Sequence, residues 1–355
     1  MTSPIVNTDP DSLADAFTPD CRPYIRPVQE TGSIEIIVRR PDGLFAARID
    51  AADVEDWAER LPEPAARRLA TLVGRLRSPP SSFAGLDLEE PRVMGIINTT
   101  PDSFSDAGKA LDPHDAMARG EAMREAGAAI LDVGGESTRP GAEPVDWRVE
   151  TARVLPVITH LAGAGALVSV DSRKADVMRT AIAAGAAIVN DVSALTHDPS
   201  SMDVVVRAGV PVILMHAQGD PRTMQDAPSY DHVSLDIHDY LESRIAACVE
   251  AGIARANIAI DPGVGFGKTF AHNMTLLRHL ALFHALGCPI LLGASRKSFI
   301  GRITGEERPA KRLGGSIAAA LAGVAAGVQL LRVHDVADTV QAVKIWSGMT
   351  EPVST

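Results

Sequence analysis

Eight times within residues 93–346 a short apolar run ends on a polar or charged residue, and that repetition leaves few folds open. The runs are 93–97 ending at Asn98, 129–131 ending at Asp132, 167–170 ending at Asp171 and 186–189 ending at Asn190. Then come 210–215 ending at His216, 258–260 ending at Asp261, 289–292 leading to Arg296 and Lys297, and 328–331 leading to Arg332 and His334. An Ala-Gly pair precedes five of them, at Gly127, Gly185, Gly209, Gly252 and Gly327. Gly takes the left-handed conformation that stops a helix, so each pair reads as a helix end feeding a strand.

Repeated β-then-α units of this number and length predict an α/β fold, a (β/α)8 TIM barrel of about 250 residues over 91–355. The runs are continuous rather than alternating because a parallel sheet is buried on both faces. A doubly wound open sheet uses the same units and also binds ligands at strand ends; eight units favour closure. In a closed barrel the carboxyl ends of the strands share one rim, so the polar run ends become a single ring of candidate ligands.

The chain has 355 residues, 46% hydrophobic and 22% charged, which suits a large soluble domain plus a smaller one. Residues 1–17 lack a basic start and an apolar core, so no secretory signal is expected. The longest apolar stretch, 317–331, falls short of a membrane span. Cys21, Cys248 and Cys288 are an odd count without paired spacing, which predicts reduced thiols and a cytoplasmic setting. A net charge of −11 speaks against nucleic acid and anionic membrane as partners. Against that background the predicted rim gathers Arg139, Lys268, Arg296, Lys297, Arg332 and His334, which points to a small anionic ligand; the plainer reading is that each pairs with a neighbouring carboxylate.

Residues 1–90 form a separate, small α+β extension of unassigned role. Residues 32–40 and 44–49 predict a hairpin around Pro41-Asp42-Gly43, 51–61 and 65–76 predict helices, with Asp50 a cap for the first, and 78–82 a linker.

The strand-end loops carry the chemistry. Asn98-Thr-Thr-Pro-Asp-Ser-Phe-Ser-Asp106 crowds amide, hydroxyl and carboxylate groups into one loop and could hold Mg²⁺ together with substrate phosphate oxygens, or be an ordinary turn-rich loop. Gly134-Gly-Glu-Ser-Thr-Arg-Pro-Gly141 allows close backbone approach and offers Thr138 and Arg139 to phosphate. Asp261-Pro-Gly-Val-Gly-Phe-Gly-Lys-Thr269 ends like a nucleotide phosphate-binding loop, but Pro262 stands where that motif needs glycine. Phe266 therefore reads as a hydrophobic wall and Asp261 as the working end of its strand. Asp171, Asn190 and Asp261, facing inward near Lys297, match a flat heterocycle with a guanidine-like edge; a plug of mutual ion pairs is the alternative. His216 and His334 have no zinc-site spacing.

Over 93–346 these motifs resemble the dihydropteroate synthases. The resemblance rests on the three loops above together with Val170-Asp171-Ser, Val189-Asn190-Asp, Ser295-Arg-Lys-Ser298 and Arg332-Val-His334-Asp, in order. It implies a barrel that joins 4-aminobenzoate to 6-hydroxymethyl-7,8-dihydropterin diphosphate and releases pyrophosphate. Carried over, Asp171, Asn190, Asp261 and Lys297 would hold the pterin, and Asn98 with Mg²⁺, Thr138, Arg139, Arg332 and His334 would receive the diphosphate. Phe104, Pro140, Phe266 and Ser298 would shape the aminobenzoate site. Asp102 and Asp106, near the reacting carbon and metal, would join Arg139 and Lys297 as catalytic residues. The first two loops would close over the leaving group in an SN1-like sequence.

The chain departs from the family pattern at Ala217, where Met is common, and in the segment before Pro91. A pterin-dependent methyltransferase would need no diphosphate site, which Thr138, Arg139, Lys297, Arg332 and His334 speak against. A non-catalytic pterin-binding homologue would have lost the loop groups Asn98, Asp102, Asp106 and Arg139, which are intact. The resemblance also implies a homodimer, with the Ala-rich stretch 316–326 able to pack against a twin or simply to serve as a barrel helix.

Overall fold

A computed structural model describes residues 5–18, 20–28, 31–100, 112–137, 141–220 and 222–350. The N-terminal part runs β1 (Ile5–Asn7), α1 (Pro10–Asp15), β2 (Arg22–Val28), β3 (Ser33–Arg40), β4 (Gly43–Asp50), α2 (Val54–Ala58) and α3 (Glu63–Arg77). A short hairpin follows, β5 (Ser82–Phe83) and β6 (Leu86–Asp87).

Eight β-then-α units come next. They are β7 (Arg92–Asn98) with α4 (Pro113–Glu125), β8 (Ile130–Gly134) with α5 (Trp147–Gly163), β9 (Val168–Asp171) with α6 (Ala175–Ala183), and β10 (Ile188–Asp191) with α7 (Ser201–Ala208). The second half is β11 (Val212–Met215) with α8 (Val233–Glu250), β12 (Ile258–Asp261) with α9 (Phe270–Arg278), β13 (Leu291–Leu292) with α10 (Ser298–Thr304) and α11 (Leu313–Ala325), and β14 (Leu330–Val333) with α12 (Val336–Thr350).

Parallel pairing runs in the order β12-β11-β10-β9-β8-β7-β14-β13. A parallel bridge between Ile260 and Ile290 joins the two ends, with Ile260 N–H donating to the Pro289 carbonyl at 2.8 Å. The barrel is therefore closed, as the repeat count predicts. All five glycines of the Ala-Gly pairs have positive φ, and Gly209, at φ 66°, is itself the cap of α7.

Alternation along each strand sorts its residues into two layers. Val93, Ile97, Leu131, Val168, Val170, Val189, Val212, Leu214, Ile260 and Leu331 face outward and pack under the helices. The inward set starts with an apolar layer at the amino end: Met94, Ile130, Ile188, Ile213, Ala259, Leu291 and Leu330. Phe83, 1% exposed on the β5–β6 hairpin, stoppers that end together with Leu88. Two residues further along, four of these strands turn polar, at Asp132, Asn190, Asp261 and Arg332, while the others carry Ile96, Met215 and Gly293.

The extension is richer than its sequence suggests. The β3–β4 hairpin and α3 form as expected, whereas the helix expected over 51–61 covers only Val54–Ala58. Strand β2 escapes a sequence reading because Pro23 and Pro27 lie within it; it is tolerated at the edge of a sheet ordered β1-β4-β3-β2. Tyr24, Ile37, Leu44 and Ala46 pack against Leu235 of α8 and Leu282 of the 3-10 turn Leu280–Leu286, so this sheet lies on the outside of the barrel.

Candidate active site

The second inward layer of the barrel places Asp132, Asp171, Asn190, Met215, Asp261 and Arg332 at the carboxyl ends of six strands. Asn190 pairs in register with Asp171, and Asp261 with Met215, which sets them at common height. A pocket opens here, lined by Ile96, Asp171, Asn190, Met215, Asp261, Phe266, Lys297, Arg332 and His334, with Val192, Gly293 and Ser295.

Arg332 organises the floor. Its Nε donates to Asp132 Oδ2 at 2.6 Å and its Nη2 to Asp171 Oδ2 at 2.6 Å. Asn190 Nδ2 donates to the same Asp132 oxygen at 3.1 Å, which turns the Asn190 carbonyl away from Asp132. Asp132 is wholly buried. In the sequence it stands out only as the end of a run; its inward phase on the strand, shared with Arg332 and Asp171, is the signal available there.

Burial pushes the Asp171 carboxyl up to about 7, against the pull of Arg332 and with added repulsion from Asp132. Burial raises Asp261 as well, although its Oδ1 accepts the Gly263 N–H at 2.7 Å and Lys297 stands near. Burial works against the Arg332 cation too, but the charges of Asp132 and Asp171 outweigh it and hold the guanidinium above its ordinary pKa.

Lys297 Nζ donates to the Val264 carbonyl at 2.7 Å and stands 4.0 Å over the Phe266 ring, an aromatic wall with a cation against it. Burial lowers its pKa to about 8. Phe266 is presented by a loop pressed onto the end of β11. A Cβ on Gly263, at φ +70°, would sit 1.9 Å from the His216 carbonyl oxygen, so only glycine fits there.

Two of the expected rim cations do other work. Lys268 is buried, with Nζ 3.0 Å from His216 Nδ1, 2.9 Å from the Phe266 carbonyl and 3.4 Å from that of His216, so it fastens the Phe266 loop to β11. Burial pulls Lys268 and His216 both well below their ordinary pKa values. Arg296 makes a two-pronged ion pair with Asp335, as the plainer sequence reading has it. Lys297, Arg332 and His334 do line the pocket, and His334 is held by Ser295, whose Oγ lies 3.0 Å from Nδ1 and accepts the His334 N–H at 3.3 Å.

Asn98 ends β7 beside Gly134, and Ser298 is exposed at the start of α10; neither belongs to the pocket lining. Asp102, Phe104, Asp106, Thr138, Arg139 and Pro140 lie outside the described residues.

Three comparisons agree with this geometry. The family profile described as pterin binding enzyme matches residues 94–334. The chain is 46% identical over 261 residues to the dihydropteroate synthase of Escherichia coli (strain K12), covering 73% of this chain and 92% of the relative. A structure of Xanthomonas albilineans dihydropteroate synthase with 4-aminobenzoic acid superposes with a TM-score of 0.71 at 49% identity, covering 75% of this chain and 96% of that one. The same enzyme in complex with 7,8-dihydropteroate gives 0.68 at 45% identity, over 75% and 97%. The chain belongs to the pterin-binding enzymes, within the dihydropteroate synthase family.

Proposed function

We propose that this chain condenses 6-hydroxymethyl-7,8-dihydropterin diphosphate with 4-aminobenzoate, giving 7,8-dihydropteroate and pyrophosphate. The observation that carries the reading is a barrel mouth in which Asp171, Asn190, Asp261 and Lys297 meet around one pocket, with Arg332 and His334 on the same lining. Carboxylates take the guanidine-like edge of the pterin by parallel hydrogen bonds. The Asn190 amide, turned by Asp132, offers its carbonyl as an acceptor. Lys297 serves a ring carbonyl or nitrogen.

The diphosphate leaves over the second inward layer, where Arg332 and His334, with Thr138 and Arg139 of the second loop and Asn98 of the first, receive it. Cations aimed at the leaving group stabilise charge that grows as the carbon–oxygen bond breaks. The ring spreads the positive charge left on carbon, and the arylamine nitrogen then forms the new bond and loses a proton. Phe266, with Phe104, Pro140 and Ser298, shapes the aminobenzoate site. Closure of the first two loops, bringing Asp102 and Asp106 near the reacting carbon, excludes water that would compete with the amine. Sulfonamides are expected to compete at the same place.

Mg²⁺ is the metal this reading calls for. The carboxylates of the floor are engaged by Arg332 and by the Gly263 N–H, so Asn98 and the substrate's own phosphate oxygens would hold the ion, a sparse oxygen set with room for water. Bound there, it would supply charge neutralisation at the departing pyrophosphate.

A homodimer in the cytoplasm completes the reading. Ile345 and Met349 on α12 are 63% and 74% exposed, apolar surface that a second copy would cover. No helix among the described residues is long and apolar enough to cross a membrane.

The test is Mg²⁺-dependent pyrophosphate release by the full chain with both substrates; tight pterin binding without condensation would favour a non-catalytic homologue. A pH prediction follows from Lys297. Its charge is lost as pH rises through about 8, so pterin affinity should fall on the alkaline side of that value. Lys297→Arg, which stays charged, should flatten the fall; an unchanged profile in this variant would remove Lys297 from the ring contact.

A further inference from the structure

The family match begins at residue 94, which leaves the N-terminal sheet without a role. We infer that this sheet braces the catalytic face: Arg39 of β3 is a positioning residue that fixes the β11–α8 loop and, through it, the Phe266 loop. The inference rests on the reading that Phe266 walls the aminobenzoate site.

The sheet meets α8 through charge. Asp236, Asp239 and Glu242 recur at helical spacing on one face of α8; Asp236 receives Arg39, Asp239 receives Arg22 with Arg39 Nη1 also 3.5 Å away, and Glu242 receives Arg22 together with Arg68 of α3. Asp236 differs from the other two. Its Oδ1 accepts Arg39 Nη2 at 2.5 Å, while its Oδ2 accepts the backbone N–H groups of Asp231 at 2.9 Å and His232 at 3.2 Å. One carboxylate therefore ties the sheet to the last residues of the β11–α8 loop.

That loop grips the Phe266 loop from the other side. Tyr230 Oη donates to the Gly267 carbonyl at 2.8 Å, and Gln225 Nε2 to the Gly265 carbonyl at 2.8 Å, on either side of Phe266. Gln218 stiffens the span by exchanging two hydrogen bonds with the Ser229 backbone, at 3.0 and 3.1 Å. The fit is close: a Cβ on Gly267 would lie 2.3 Å from the Gln218 carbonyl oxygen. The path from Arg39 to Phe266 is thus Asp236, the 229–232 backbone, Tyr230 and the Gly267 carbonyl, every link a hydrogen bond or a covalent step.

Magnitudes separate a brace from simple glue. Arg39 and Asp236 are each about a quarter exposed, and an ion pair of that kind contributes little to global stability. Loss of its geometric restraint is felt locally instead, at the loop end whose backbone Asp236 holds.

The experiment compares Arg39→Ala and Arg39→Gln with Arg22→Ala in the full chain. Arg22 pairs with Asp239 at 2.9 Å and Glu242 at 2.8 Å on the same face, but neither of those carboxylates holds the loop. Amide hydrogen exchange is read over 229–232 and 263–268, alongside KM and kcat for 4-aminobenzoate. Both Arg39 variants are expected to speed exchange in both segments and to raise KM by about threefold to tenfold with kcat within about twofold. Arg22→Ala should do neither. Equal exchange in the Arg39 and Arg22 variants, or faster exchange with an unmoved KM, would overturn the brace. A wild-type chain that shows no condensation would instead count against the proposed function, because the exchange comparison needs no turnover.

Discussion

Arg332→Met is expected to abolish dihydropteroate formation and to destabilise the fold by about 3–5 kcal/mol at neutral pH, the range for stripping the partner from buried charges. The guanidinium is the shared partner of Asp132 and Asp171, and removing it leaves two carboxylates facing each other inside the barrel. The loss should depend on pH, and its sign is fixed by Asp171. Burial already raises that carboxyl to about 7, so in the folded state it takes up a proton before the unfolded chain does, and stability from this group grows as pH falls below that value. Without Arg332 the proton replaces the missing cation. Urea unfolding of variant and parent at about pH 5.5 and about pH 8.5 should therefore give a smaller difference at the lower pH. Asp171→Asn in the Arg332→Met background should recover part of the stability without activity. An equal penalty at both pH values would mean that Asp171 is not the group left exposed to repulsion.

Asp261→Ala carries the second large effect. The carboxyl is buried at the end of β12, its Oδ1 held by the Gly263 N–H, and it lies on the pocket lining with Asn190 and Lys297. A two-pronged, charge-assisted contact to the pterin edge would be lost, so affinity for a pterin lacking the diphosphate should drop about 100-fold or more in calorimetry. Arg139→Ala should barely change that affinity, since its proposed contact is with the diphosphate. Similar losses from both changes would contradict the separation of ring and phosphate roles.

Much of this site was legible because it obeys local rules. A strand buried on both faces alternates in and out with period two, and the run ends Asp171, Asn190, Asp261 and Arg332 fall on inward positions above an apolar layer. Side chains placed by long-range contacts do not obey those local rules. Lys268 follows a glycine loop and looks like a rim cation, yet it folds back onto His216 and the Phe266 carbonyl because the loop is pressed against β11. Arg296 is one residue from Lys297 but turns to Asp335. Strand β2 was hidden by Pro23 and Pro27, whose compatibility with a sheet depends on which edge they occupy.

By itself, then, the order of residues determined the repeat, its closure into a barrel and the end at which chemistry gathers, since each follows from periodicity and spacing within some tens of residues. Only the tertiary structure decided the pairings: Arg332 divided between Asp132 and Asp171, Asn190 turned by Asp132, and the N-terminal sheet anchored on Asp236. Arg332 and Asp132 are separated by 200 positions, and Arg39 and Asp236 by 197. Whether such groups meet depends on how the barrel closes and where the extension lands, which no local pattern encodes.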